Sequence, residues 1–308
     1  MTWYAYLIFP LIGFIGMFCG GFWSVGCGWL IVPTMLIFGF QPLEAVGAAL
    51  LQMVFSTAPT VIKEMKSTSW EKGSLMRNLA LPMAIGVVLT AFSGRLINAY
   101  LYDKFGSKAL LCLFVFVMLF IGFQSLFGKT AKNQNEKPNI SKPQSIIALF
   151  CGMFVGVISS LLGISGALIF RPMIINGFKI AEKPATQAVR FLLLTATLSG
   201  SMFYLFAEGK FHTHILFLGI LIALGGAFGF PLGVRYGKIV VKRGYVKILQ
   251  KSFGSIILII ITNSVLNLLG HVKFSRYLMI ICAIILFAYI NIFTFYAAKH
   301  SRKTKITS

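Results

Sequence analysis

The chain has 308 residues, 57% of them hydrophobic and only 11% charged, with a mean hydropathy of +0.86. A soluble domain carries roughly 25% charged residues, so this composition excludes one and requires a surface that faces lipid. The net charge of +21 would suit a nucleic-acid binder, but Lys and Arg sit in short segments between apolar runs, where the positive-inside rule and anionic headgroups favour them; nucleic acid is set aside as a partner.

In chain order, residues 1–43 carry no charged side chain. They lack the basic segment that opens a secretory signal, so the first span is expected to be retained. Within them lies the small-residue cluster Gly20 to Gly28, followed by a short apolar run to Pro33 and beyond. A helix from residue 4 to 38 would be roughly 52 Å long, too long for one crossing and short for two. A pair of shortened helices meeting at the glycines is expected instead. Glu44 then opens a new span, and bare apolar runs follow at 79–93 and 109–128. After the polar segment 129–143 come runs at 146–170, 191–207, 215–234, 252–270 and 277–298. Crossing a membrane takes about 20 helical residues, and runs that are continuously apolar rather than alternating predict helices, not a barrel. All five cysteines fall in such runs and form no CxxC, so neither a disulfide framework nor a zinc site is expected.

The chain matches itself at a shift of 138 to 140: Gly16 falls on Gly156, Gly26 on Gly166, Pro33 on Pro172, Glu44 on Glu182, Gly86 on Gly225 and Gly94 on Gly233. Each copy reads as a glycine-broken helix pair and three further spans. Five crossings per copy is odd, so the copies enter the membrane from opposite sides. Loop charge agrees: residues 63–77 hold four basic side chains and their counterpart 207–214 holds one, while 95–108 hold three and their counterpart 235–251 hold six. Such a flip is what inverted topology requires. The expected fold is an all-α polytopic membrane protein of two inverted-topology five-helix repeats with glycine-broken hairpins, plus one extra C-terminal span. Residues 1–128 form the first repeat, 129–143 a cytoplasmic linker, 144–272 the second repeat, and 273–308 the extra helix and a basic cytoplasmic tail.

The glycine clusters are the expected site. A helix broken in the membrane leaves backbone N–H groups unpaired and aims a helix N-terminus at the gap, which suits an anion; close helix packing through small residues is the alternative. Ser24, Gly26, Ser165 and Gly166 are the break residues singled out. Arg171 and Arg190 stand in apolar runs, and no intramembrane carboxylate is expected to neutralise them. A guanidinium fork matches planar oxyanions, while snorkelling to the interface is the alternative. Gln52 occupies the place of Arg190 in the first copy and Gln187 lies one turn before Arg190, so both join the candidate substrate-binding set. Glu44 and Glu182 begin equivalent spans, as helix caps or as proton-coupling groups. His212 and His214 are read as solvated loop residues, so no metal and no cofactor are expected.

Gly26-Cys27-Gly28 through Pro33, Glu44-Ala45-Val46-Gly47 and Gly163-Ile164-Ser165-Gly166 through Pro172 resemble the TauE/SafE sulfite exporter family over roughly residues 10–270. Two departures are Cys27, where that family often has Gly, and Arg171, where an aliphatic residue is common before the Pro. The resemblance implies export or uptake of sulfite, sulfoacetate or other sulfonates; the expected location is the cell inner membrane, multi-pass, with loop charge placing the C-terminus in the cytoplasm. Composition and spacing alone imply a small anion, with export, import or channel flux, proton coupling and homo-oligomerisation left open. ATP hydrolysis is not expected, because no P-loop is present. Nor is enzymatic chemistry, because the spans lack His, Asp and Glu.

Overall fold

In lipid every backbone polar group must be satisfied within the chain, which leaves the helix as the economical element for these apolar runs. The computed structural model describes residues 3–128 and 140–300, and they are helical with no strand among them. In order the helices are α1 (Trp3–Trp23), α2 (Gly28–Ile37), α3 (Pro42–Met65), α4 (Leu81–Phe105, entered through a π turn at Met76–Ala80), α5 (Ser107–Phe127), α6 (Lys142–Leu162), α7 (Ala167–Pro172, continued by a π turn at Met173–Gly177), α8 (Glu182–Leu205), α9 (Thr213–Lys242), α10 (Val246–Leu268) and α11 (Val272–Lys299). Eight helices among the described residues are long and apolar enough to cross a membrane.

Local chemistry sets the starts and stops. Gln41 and Glu44 form a capping box before α3, with Pro42 in its first turn; Ser141 and Gln144 do the same for α6. Gly106, at φ +72°, turns α4 into α5 where a side chain would strain.

Two expectations need correction. The helices at each break are unequal rather than jointly shortened: α1 has 21 residues and α2 only 10, so α2 rises about 15 Å, half a hydrocarbon core. The second copy repeats this, with 21 residues in α6 and the short apolar stretch Ala167–Gly177 after it. The capping box also starts α6 at Lys142, inside the segment expected to be linker. The rest of that linker, 129–139, and the basic tail 301–308 lie outside the described residues.

Glycine decides which helices touch. A Cβ at Gly225, Gly229, Gly233 and Gly237 of α9 would lie 1.7, 2.3, 2.1 and 2.3 Å from the carbonyl oxygens of Pro10, Phe14, Phe18 and Phe22. The register advances in the same sense on both helices, so α1 and α9 run parallel, backbone against backbone. α4 and α6 repeat the arrangement, with Gly86 against Leu149, Gly94 against Val157 and Gly152 against Met83. α3 and α8 run antiparallel, with Gly47 by Tyr204 and Gly200 by Leu50; so do α5 and α10, with Gly122 by Ile257 and Gly254 by Leu126. α11 closes one side through Phe287, whose ring lies tilted against those of Phe14 and Phe18. Apolar side chains such as Phe116, Phe120 and Phe123 of α5 point outward, as lipid contact requires.

Candidate functional site

The two breaks meet. Ser165 Oγ donates to the Val25 carbonyl at 3.0 Å, joining residues 140 positions apart. A Cβ at Gly28 would lie 1.8 Å from the Gly163 carbonyl oxygen, so only glycine lets these backbones approach. Ser24 and Ser165 both hold positive φ, 57° and 64°, where a side chain is uncommon and costs about 1–3 kcal/mol. Trp29 Nε1 donates to the Gly26 carbonyl at 2.7 Å and Trp23 Nε1 to the Leu249 carbonyl at 2.9 Å, which anchors both flanks of the first break.

Both arginines grip this break, at adjacent residues. Arg190, on α8 and 3% exposed, donates from Nη2 to Ser24 Oγ at 3.0 Å. Arg171, on α7, donates from Nη1 to the Trp23 carbonyl at 2.6 Å and so caps the C-terminus of α1. The expectation that no carboxylate neutralises them is wrong. Arg190 Nη1 pairs with Glu64 Oε1 and Arg171 Nη2 with Glu182 Oε1. Glu182 begins α8, 11 residues after Arg171, whereas Glu64 lies near the end of α3, 126 residues from Arg190, and packing α3 antiparallel to α8 swings it onto Arg190.

The second break is held by neutral donors. Asn98 Nδ2 donates to the Leu161 carbonyl at 2.7 Å and Tyr204 OH to the Ser160 carbonyl at 2.9 Å, both at the C-terminus of α6. Arg95, buried on α4 one turn before Asn98, lies near Tyr204, so a cation stands by this break too. Gln52 is fully buried at the first break, but its Nε2 donates to Cys27 Sγ at 2.7 Å; it flanks the break from the α1 side and leaves Arg190 to Ser24. Gln187 is half-buried one turn from Arg190, with no hydrogen bond from its side chain among the described residues. Gly166, at φ +70°, starts α7 against Val155 and Phe170.

Glu44 caps: its Oε2 accepts the Gln41 backbone N–H at 3.1 Å, and Oε1 lies 2.9 Å from His214 Nδ1. His214 thus sits in the first turn of α9, not in a loop, because α9 begins at Thr213. No group of three His, Cys, Asp or Glu side chains is placed to hold a metal among the described residues.

Glu64 and its surroundings were not singled out in the sequence. Its Oε1 also accepts from Lys238 Nζ at 3.1 Å, and it lines an open cleft of about 870 Å³ between α3 and α9. Lys63, Arg235, Lys238 and Lys242 line the same cleft. The last three recur at helical spacing on α9, a signal visible in the sequence, whereas the pairing with Arg190 is a tertiary fact.

The profile "Sulfite exporter TauE/SafE" matches residues 9–264. The "Probable membrane transporter protein YunE" of Bacillus subtilis (strain 168) is 22% identical over 257 residues, 76% of this chain and 89% of that protein. The "Probable membrane transporter protein ORF9" of Sinorhizobium sp is 25% identical over 226 residues, 73% of this chain and 79% of that protein. No solved structure matches. With that profile spanning most of a chain of membrane-crossing helices, the protein is a multi-pass membrane transporter and belongs to the sulfite exporter TauE/SafE family.

Proposed function

We propose that the protein is a secondary transporter that exports a small organosulfur anion, such as sulfite, sulfoacetate or another sulfonate, across the cell inner membrane. Alternating access would work around the first glycine break. The observation that carries this reading is Arg190: a guanidinium buried where the two breaks meet, hydrogen-bonded to Ser24, with its Nε unpartnered among the described residues. A sulfonate or sulfite oxygen pair matches that fork, and a site shielded from water strengthens the pairing. Ser24, Gly26, Ser165 and Gly166 supply the break backbone, and Gln52 and Gln187 its flanks. Arg171 is assigned to holding α1 and α7 together.

Inverted repeats are supported by equivalent helices, α3 with α8 and α5 with α10, running antiparallel. Export is supported by the basic cleft between α3 and α9, whose α9 end continues into the Lys- and Arg-rich segment expected in the cytoplasm; such a cleft concentrates anions before the site. Calorimetric titration of sulfite and sulfoacetate tests the reading. Arg190→Lys keeps the charge but loses the fork, and should weaken binding about tenfold or more, since charge-assisted bonds contribute about 1.5–3 kcal/mol each. Arg190→Ala should abolish binding. Unchanged affinity in folded Arg190→Ala protein would refute the site.

A further inference from the structure

Arg190 is occupied by the protein's own carboxylate, and the way it is occupied is incomplete. Glu64 offers one oxygen, Oε1, shared between Arg190 Nη1 and Lys238 Nζ. Its other oxygen, Oε2, is buried with no hydrogen-bond partner among the described residues, and so is Nε of Arg190. A guanidinium binds oxyanions best through two parallel N–H bonds, and here one oxygen meets one nitrogen while the adjacent N–H stays idle.

We propose that Glu64 is a resident competitor for the transported anion and the group that couples anion binding to a proton: an ionised Glu64 occupies Arg190, and its protonation frees the guanidinium for the substrate. The inference rests on Arg190 as the anion seat. Charge accounts for the coupling. With Glu64 ionised, Arg190 and Lys238 leave one net positive charge facing it; with Glu64 protonated they leave two, and an anion is held more strongly. The other charged groups around Glu64 are Lys63 on its own helix and Arg235 and Lys242 on α9, all lining the same cleft, and none of them is acidic. The proton reaches the carboxylate from water in that cleft, which Glu64 lines, and leaves by the same group when the anion departs. Binding of proton and anion to one site pair is reciprocal, so each raises the affinity for the other. Glu44 and Glu182 are placed differently: Glu44 contacts the Gln41 backbone and His214, and Glu182 contacts Arg171.

Methanesulfonate is the probe, because a sulfonate stays anionic throughout the working pH range and any pH dependence belongs to the protein. The full-length protein in lipid nanodiscs is titrated with it at several pH values, as wild type, Glu64→Gln, Glu64→Asp and Arg190→Ala. Wild-type affinity should rise as pH falls. Glu64→Gln should bind about tenfold tighter or more at neutral pH and lose the pH slope. Glu64→Asp, with shorter reach toward Arg190, should bind tighter than wild type and keep a slope, which preserves the test if the Gln variant does not fold. Glu64 variants that bind no tighter than wild type, or a Gln variant that keeps the wild-type slope, would overturn the coupling role while Arg190→Ala still abolishes binding. Full binding in Arg190→Ala would instead remove the anion seat itself.

Discussion

A guanidinium inside an apolar bundle persists only where neighbouring groups satisfy it, and Arg171 and Arg190 divide that work differently. Arg171 spends its contacts on structure, with one nitrogen on the Trp23 carbonyl and another on Glu182. Replacing it with Gln removes the cap of α1 and strands a half-buried carboxylate. The expected loss is about 1–3 kcal/mol, read as a lower melting temperature, with sulfonate affinity of the folded fraction unchanged. A large loss of affinity with normal stability would place Arg171 on the substrate. Both arginines were visible in the sequence as charges in apolar runs. Their pairing with carboxylates was not: Glu182 read as a cap or proton-coupling group, and Glu64 looks like a residue at the end of a span until the antiparallel packing of α3 on α8 places it on Arg190.

At the scale of helices, contact is governed by missing side chains more than by complementary ones. In lipid there is no hydrophobic drive between apolar helices, so close backbone approach through small residues does the packing. The α1–α9 pair depends on it along four successive turns, from Gly225 to Gly237. Gly229→Val should therefore destabilise by about 1–3 kcal/mol or more, since its neighbours are the Phe14 carbonyl and the Phe18 N–H, which cannot rotate away. Gly106→Ala is the contrast: nothing lies within 4 Å, so only its φ of +72° is strained, and the cost should be near 1 kcal/mol. Thermal unfolding of the two variants in the same detergent checks the difference. The four-residue glycine spacing on α9 was legible as a pattern, but which helix it faced was not.

Across the whole molecule, parallel and antiparallel pairings constrain sidedness. α3 and α9 run parallel, with Gly219 against Leu51 and Lys238 against Glu64, so the segments after them emerge on one face. Cysteine-accessibility labelling in intact cells should find residues 66–75 and 243–245 on the cytoplasmic side and 209–212 outside. Labelling of 66–75 and 209–212 from the same side would refute the inverted arrangement of the two halves.

Hydropathy by itself determined that this protein is a helical membrane protein, because lipid admits few ways to satisfy a backbone and the apolar runs have the length of helices. Self-similarity and glycine placement likewise located the two breaks, since small residues in a span are conspicuous one by one. Tertiary structure alone decided that the breaks touch, that Arg171 and Arg190 hold the first while Asn98 and Tyr204 donate to the second, and that Glu64 occupies Arg190. The physical reason is that a contact between charges on separate helices depends on helix direction, register and close approach, and each of these is a property of packed pairs that no single stretch of sequence carries.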